Sequence, residues 1–182
     1  MAMEAYRCIL TKREVRTFLP QEVPQETILQ ILEAGRWSGS SRNRQPWHFV
    51  VVRDRQRLRQ LAQFGRFARH VADAAFAVAV VVEAERDAFD AGRCAQNMML
   101  AAWALGIGSC PTVMHSEAQA KEFLGIPPSR KLAIVLAFGY PAKKRKSLAE
   151  RAVYRVLLGK GRKPLAEIVS WERFGATKFE VQ

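Results

Sequence analysis

Cysteine and histidine are scarce in this chain, three of each in 182 residues. The cysteines, Cys8, Cys94 and Cys110, are odd in number and far apart, which excludes a disulfide framework and a CxxC metal site and leaves reduced, mostly buried thiols as the expectation. No apolar run reaches the roughly 18 residues that a bilayer crossing needs. The first residues, MAMEAYRCIL, lack the basic start and long apolar stretch of a secretory leader, so a cytoplasmic protein is expected. Acidic residues are also few, 17 Asp and Glu against 29 Lys and Arg, for a formal charge of +12. Such a field favours anionic partners, phosphate-bearing cofactors and nucleic acid among them. The densest basic stretch, Lys143 to Lys163, has only Tyr140 and Tyr154 nearby, without the interleaved rings of a single-strand binder or any zinc-finger or RNP signature. Nucleic acid is therefore not the expected main partner.

The chain does hold enough apolar residues, 49%, to bury a sizeable core, and its length suggests one domain over residues 1–182. Pro24 and Glu26 suit the start of a helix with apolar positions Ile28, Ile31 and Leu32, ending near Trp37. Trp47 to Arg53 reads as a buried strand, Gln56 to Phe67 as an amphipathic helix and Ala74 to Glu83 as a second, strongly apolar strand. Asp90 could cap a helix over Ala91 to Leu105 that is apolar nearly all round. Gly106, Gly108 and Pro111 then break the chain into a loop, GIGSCPT, after which Ser116 and Gln119 resemble a capping box opening a helix to Leu124. Lys131 to Gly139 is a third strand, and Pro164 could start a last helix through Trp171. Residues 175–182 form a tail that frays or lies on a partner. Strands alternating with helices suggest three layers, and periodicity alone allows a doubly wound parallel sheet.

Four places carry chemistry. Between Ser40 and Gln45, two hydroxyls, two guanidinium groups and the amides of Asn43 and Gln45 offer donors and acceptors enough to meet the edge of a planar heterocycle, while composition alone makes the same stretch a turn-rich surface loop. Lys12, Arg13 and Arg16 place three cations within five residues, suited to gripping a phosphate, or else a solvated helix end. Lys160 and Arg162, spaced two apart, can approach one anionic group from an extended segment. At Gly108 and Ser109, a glycine-rich turn could bring backbone N–H groups close to a ligand. His48, His70 and His115 are isolated, and a lone histidine is more often structural or exposed than a proton donor.

Five segments, KREVRTF (Lys12 to Phe18), SSRNRQPWHFVVV (Ser40 to Val52), DAGRCAQNMMLAAWALGIGSC (Asp90 to Cys110), LAIVLAFGYP (Leu132 to Pro141) and GKGRKPLAEIV (Gly159 to Val169), occur in the order and separations in which the chain resembles the FMN-dependent nitroreductase-like oxidoreductases. The resemblance implies an α+β fold, a three-layer α/β/α sandwich with a mixed, mainly antiparallel sheet, assembled as an intertwined homodimer. It implies FMN held by Lys12, Arg13, Arg16, Lys160 and Arg162 at its phosphate and ribityl end. Ser40, Ser41, Asn43 and Gln45 meet its ring and ribityl chain, some from the opposite subunit, and Gly108 and Ser109 meet the N5 and O4 edge. NADH or NADPH would supply hydride in a ping-pong cycle, and a small-molecule acceptor such as a nitroaromatic or quinone would follow into the same cleft. No catalytic side chain is required, because a flavin carries the redox chemistry. Three departures stand out: Glu14 where a small hydroxyl residue is usual, Gly39 in place of a proline, and Pro111 where many relatives have Trp. The short passage from Glu83 to Ala91 leaves little room for the extra helices that cover the flavin in larger members, so an open pocket is expected. Specialised branches of the same superfamily, dehalogenase-like or flavin-destructase-like, remain alternatives, as does a basic nucleic-acid-binding module on the same fold.

Overall fold

The computed structural model describes residues 4–142 and 162–176. The chain divides into two units, Met1–Lys143 and Lys144–Gln182. In the first unit the elements follow the order α1 (Ala5–Thr11), α2 (Gln25–Arg36), β1 (Trp47–Val52), α3 (Arg55–Gln63), α4 (Arg69–Ala72), β2 (Phe76–Val82), α5 (Ala88–Ala104), β3 (Gly108–Thr112), α6 (Glu117–Leu124) and β4 (Lys131–Gly139). None of the described helices is long and apolar enough to cross a membrane.

The sheet is built around β2, FAVAVVV, whose seven residues are all buried. A strand of β-branched and small apolar residues suits a pleat covered on both faces. Its side chains alternate as a two-residue period demands: Ala77, Ala79 and Val81 enter one core with residues of α3, α4 and α6. Phe76, Val78, Val80 and Val82 enter the other with α2 and α5. The molecule is thus a helix–sheet–helix sandwich. Each fully buried Val contributes about 1.5–3 kcal/mol of transfer free energy, and Phe76 stacks on Phe138 with centroids 4.8 Å apart. The strand order is β1-β2-β4-β3, and all three pairings are antiparallel. A single parallel bridge, Glu14 to Ser109, lies outside the strands and makes the pairing mixed.

Several sequence expectations need correction. The stretch expected as a loop from Gly106 to Thr112 is a turn only at its start; Gly108–Thr112 is the edge strand β3, paired with β4. The helix expected over Gln56 to Phe67 stops at Gln63, and α4 follows as a separate turn. Asp90 lies inside α5, and Asp87 stands at the N-cap position without a side-chain cap bond to the helix, its carboxylate accepting instead from Ala84 N of the preceding turn at 3.1 Å. The capping box at Ser116 does not form; Glu117 instead accepts from Leu132 N and Lys131 Nζ, at 3.2 and 2.9 Å. α5 is not buried all round: Ala91, Cys94, Ala95, Met98, Met99 and Ala102 face the core, while Gly92, Arg93, Gln96 and Asn97 are exposed in the single chain. All three thiols are free and buried, as expected. In the second unit a short helical turn, Leu165–Ile168, follows Pro164 and ends before Trp171.

Candidate functional site

The first basic segment lies against the edge of β3. Val15 N donates to Ser109 O at 2.9 Å, and farther along Leu19 N donates to Tyr140 O and Ala142 N to Thr17 O. This strap is possible because Gly108 has no side chain: a Cβ there would stand 2.7 Å from the Cβ of Val15. Gly108 and Ser109 therefore lie in the interior of the protein, Gly108 beneath Val15 and Ser109 buried, with the Ser109 hydroxyl unpartnered.

The three cations of the segment have different fates. Lys12 is largely buried and its Nζ pairs with Glu14 at 2.5 Å, so the carboxylate that replaces a hydroxyl is neutralised within the segment. Arg13 donates to the carbonyls of Leu10 and Lys12, both at 2.8 Å, closing the C-terminal end of α1. Arg16 is exposed and makes no hydrogen bond or ion pair among the described residues. Its positive charge bears on His70 in α4, whose ring is buried against the Cys110 and Phe67 backbone. Burial, first, and Arg16 depress the basicity of His70 below the usual histidine value, and its Nε2 has no partner. Burial likewise pushes the Cys110 thiol up.

The second cluster is a loop held in an unusual backbone. Arg42, Asn43 and Gln45 have φ of 52, 54 and 49°, a left-handed region that side chains other than Asn and Asp seldom adopt. Local bonds keep it there: Asn43 N to Ser40 O and Arg44 N to Ser41 O, both 3.1 Å, and Gln45 N to Ser40 Oγ at 2.9 Å. Arg44 pairs with the buried carboxylate of Asp87 and so ties the loop to the start of α5. The side chains of Ser41, Asn43 and Gln45 are left exposed. Strain of this kind, of order 1–3 kcal/mol per residue, concentrates at ligand contacts.

These two clusters do not meet within one chain. Trp47, at the start of β1, pairs with Val82, which pairs with Lys131 at the start of β4. Gly108, at the start of β3, pairs with Gly139 at the end of β4. The Ser40–Gln45 loop and the Arg16 strap thus occupy diagonal corners of the sheet, about 27 Å apart along β4 and about 14 Å across it at ordinary strand spacings. Of the third cluster, Arg162 is exposed in the second unit and Lys160 lies outside the described residues. The buried His70 with its orphan nitrogen was passed over in the sequence, where nothing marks it as different from His48 or His115.

A sheet of this order between two helical layers, with a cationic strap on β3 and a strained polar loop before β1, makes a three-layer α+β sandwich, and comparison with known proteins makes the class specific. The nitroreductase family model matches residues 9–80 and 62–140. The chain is 31% identical over 149 residues to a protein of Archaeoglobus fulgidus provisionally named an NADH dehydrogenase/NAD(P)H nitroreductase, covering 76% of this chain and 86% of that one. Among solved structures, nitroreductase A from Vibrio parahaemolyticus superimposes with a TM-score of 0.79 at 25% identity, covering 94% of this chain and 78% of that one. A Bacteroides fragilis nitroreductase with bound FMN gives 0.66 at 25% identity, covering 80% and 95%. This chain belongs to the nitroreductase family.

Proposed function

We propose that the protein is an FMN-dependent NAD(P)H oxidoreductase that reduces flat acceptors such as nitroaromatics and quinones, and that it works as a homodimer. The observation that carries the proposal is the corner at β3: an exposed Arg16 that makes no bond among the described residues and whose charge is felt by a buried His70, itself with a ring nitrogen unsatisfied among those residues. Buried polar atoms without partners are rare and call for a ligand or water, and a guanidinium free to fork onto phosphate oxygens suits the mononucleotide tail. The residues present therefore fit the cofactor. Relatives support the same chemistry, since an NADPH-flavin oxidoreductase of Vibrio harveyi is 28% identical over 153 residues.

FMN, when bound, would supply two-electron redox chemistry between NADH or NADPH and the acceptor. The chain's own part is to bind and orient. Arg16, from the segment that also carries Lys12 and Arg13, holds the phosphate end. Ser40, Ser41, Asn43 and Gln45 offer hydroxyl and amide groups to the ring and ribityl chain. Gly108 and Ser109 act from behind, as the strand on which the strap and the loop after Thr112 are mounted. Because the loop and the strap stand at diagonal corners, the loop that completes each site is taken from a second copy.

Dimerisation has further support on the surface. The outer edge of β1 is unpaired among the described residues, and an apolar edge of this kind is ordinarily covered. Tyr6, Ile9 and Leu10 of α1, with Leu105 at the end of α5, are exposed large hydrophobic side chains of the sort that mark an association surface. Of the tail over residues 175–182, residues 177–182 lie outside the described residues.

The test is reconstitution. Purified protein incubated with FMN and desalted should keep the flavin absorption bands, and these should bleach under anaerobic addition of NADH or NADPH and return with menadione. Protein that stays colourless after reconstitution removes the proposal.

A further inference from the structure

Two loops meet beyond the far end of β3 and are tied to each other. Ser116 N donates to Phe64 O at 2.9 Å, and Arg66 N donates to His115 Nδ1 at 3.1 Å. Gly65 permits the approach, since a Cβ there would lie 2.6 Å from Ala68 Cβ and 3.0 Å from the Val113 carbonyl oxygen. The two loops form a rim that turns large apolar side chains outward: Phe67 is 72% exposed and Val113 is 56% exposed. Phe67 meets the His115 ring edge-on, centroids 5.9 Å apart and planes at 71°. Because Nδ1 accepts the Arg66 amide, the neutral ring of His115 carries its proton on Nε2, where it can be donated. The rim borders the cofactor corner: His70, three residues after Phe67, is buried against the Phe67 and Cys110 backbone and feels Arg16.

An exposed phenylalanine braced by a second ring, with an N–H donor beside it, is a receptor for a flat ring bearing an oxygen atom. We propose that Phe67, Val113 and His115 form the acceptor platform of this enzyme. The ring of a quinone or nitroaromatic lies on Phe67 and Val113, and one of its oxygens accepts a hydrogen bond from His115 Nε2. The inference rests on the flavin oxidoreductase reading above and names the side chains that select the acceptor. An acceptor with no ring, such as ferricyanide, gains nothing from the platform.

The test uses the full chain loaded with FMN, as wild type and as Phe67→Ala and His115→Asn; the shorter amide of the latter keeps an acceptor for Arg66 N. Menadione and ferricyanide are compared as acceptors at a saturating level of whichever nicotinamide nucleotide bleaches the flavin. Binding of menadione to the oxidised protein is titrated separately, without reductant, by fluorescence quenching. Phe67→Ala should raise both the KM and the Kd for menadione about tenfold, the scale of a lost ring contact, with kcat nearly unchanged. His115→Asn should do so less, and in both variants the loss with menadione should exceed any loss with ferricyanide. Unmoved menadione constants, or an equal loss with ferricyanide, would overturn the platform while leaving the flavin reading in place. Protein that holds no FMN would remove both.

Discussion

At the scale of single residues, Glu14 decides how much of the first basic segment is available to an anion. Its carboxylate takes Lys12 at 2.5 Å, so of three neighbouring cations one is neutralised, one closes α1 and, among the described residues, only Arg16 is left without a bond. Replacing Glu14 by Ser should release Lys12 and tighten FMN binding a few-fold, the scale of an ion pair worth about 1 kcal/mol, as read by quenching of flavin fluorescence on titration. Weaker binding would mean that Glu14 serves to aim Lys12 at the cofactor. His70 makes a second prediction. Its basicity is lowered by burial below the ordinary value of 6.5, so the unfolded chain takes up a proton at that site more readily than the folded one. Its neutral form is compatible with the fold above pH 6.5, and stability is lost as pH falls below that value. Thermal unfolding of the apo-protein between pH 7.5 and pH 5 should therefore decline less steeply in His70→Gln than in the wild type, and parallel curves would show that protonation of His70 is not coupled to folding.

At the scale of elements, β1, β2, β4, α2 and α5 could be read from the chain because each carries its own period, apolar runs for the strands and helical spacing at Ile28 and Ile31, although β1, expected to be buried, is exposed at His48 and buried only at Val52. β3 could not. Gly-Ser-Cys-Pro-Thr has neither alternation nor β-branched enrichment, and its strand character comes from outside, from β4 on one side and the strap at Val15 on the other. The same tertiary cause hid the break after Gln63, where Gly65 is packed against Val113 and not placed to end a helix. Of the candidate site, the residue types were legible but their grouping was not. The motif order marks Arg16 and the Ser40–Gln45 loop as candidates, and only the register of four strands shows that they stand at opposite corners. The strap gives this scale its prediction. Gly108→Val would place side-chain atoms where Val15 already sits, and overpacking of this kind costs about 1–3 kcal/mol. Because the strap carries Arg16, the variant should lose FMN retention as well as melting temperature. A lowered melting temperature with full FMN occupancy would show that Arg16 does not depend on the strap for its position.

At the scale of the whole molecule, the distance between the two clusters turns the assembly into a question with a discrete answer. If each flavin is held by the strap of one chain and the loop of another, then lesions in the two clusters must complement. Chains carrying Arg16→Ala and chains carrying Asn43→Ala should each, alone, form dimers in which both sites are damaged. A mixed dimer has one site with both lesions and one with neither, since the intact Arg16 of the second chain faces the intact Asn43 of the first. Separately tagged chains, co-expressed and purified through both tags, should therefore hold about one FMN per dimer, while either parent dimer loses most of its flavin on desalting, as expected for removal of a charge-assisted contact worth about 1.5–3 kcal/mol. Were both clusters to serve a flavin within one chain, every site in the mixed dimer would carry a single lesion, and its occupancy would equal the mean of the parents. The absorbance of the doubly tagged fraction decides between the two arrangements, and with them whether a protomer of this chain can hold its cofactor alone.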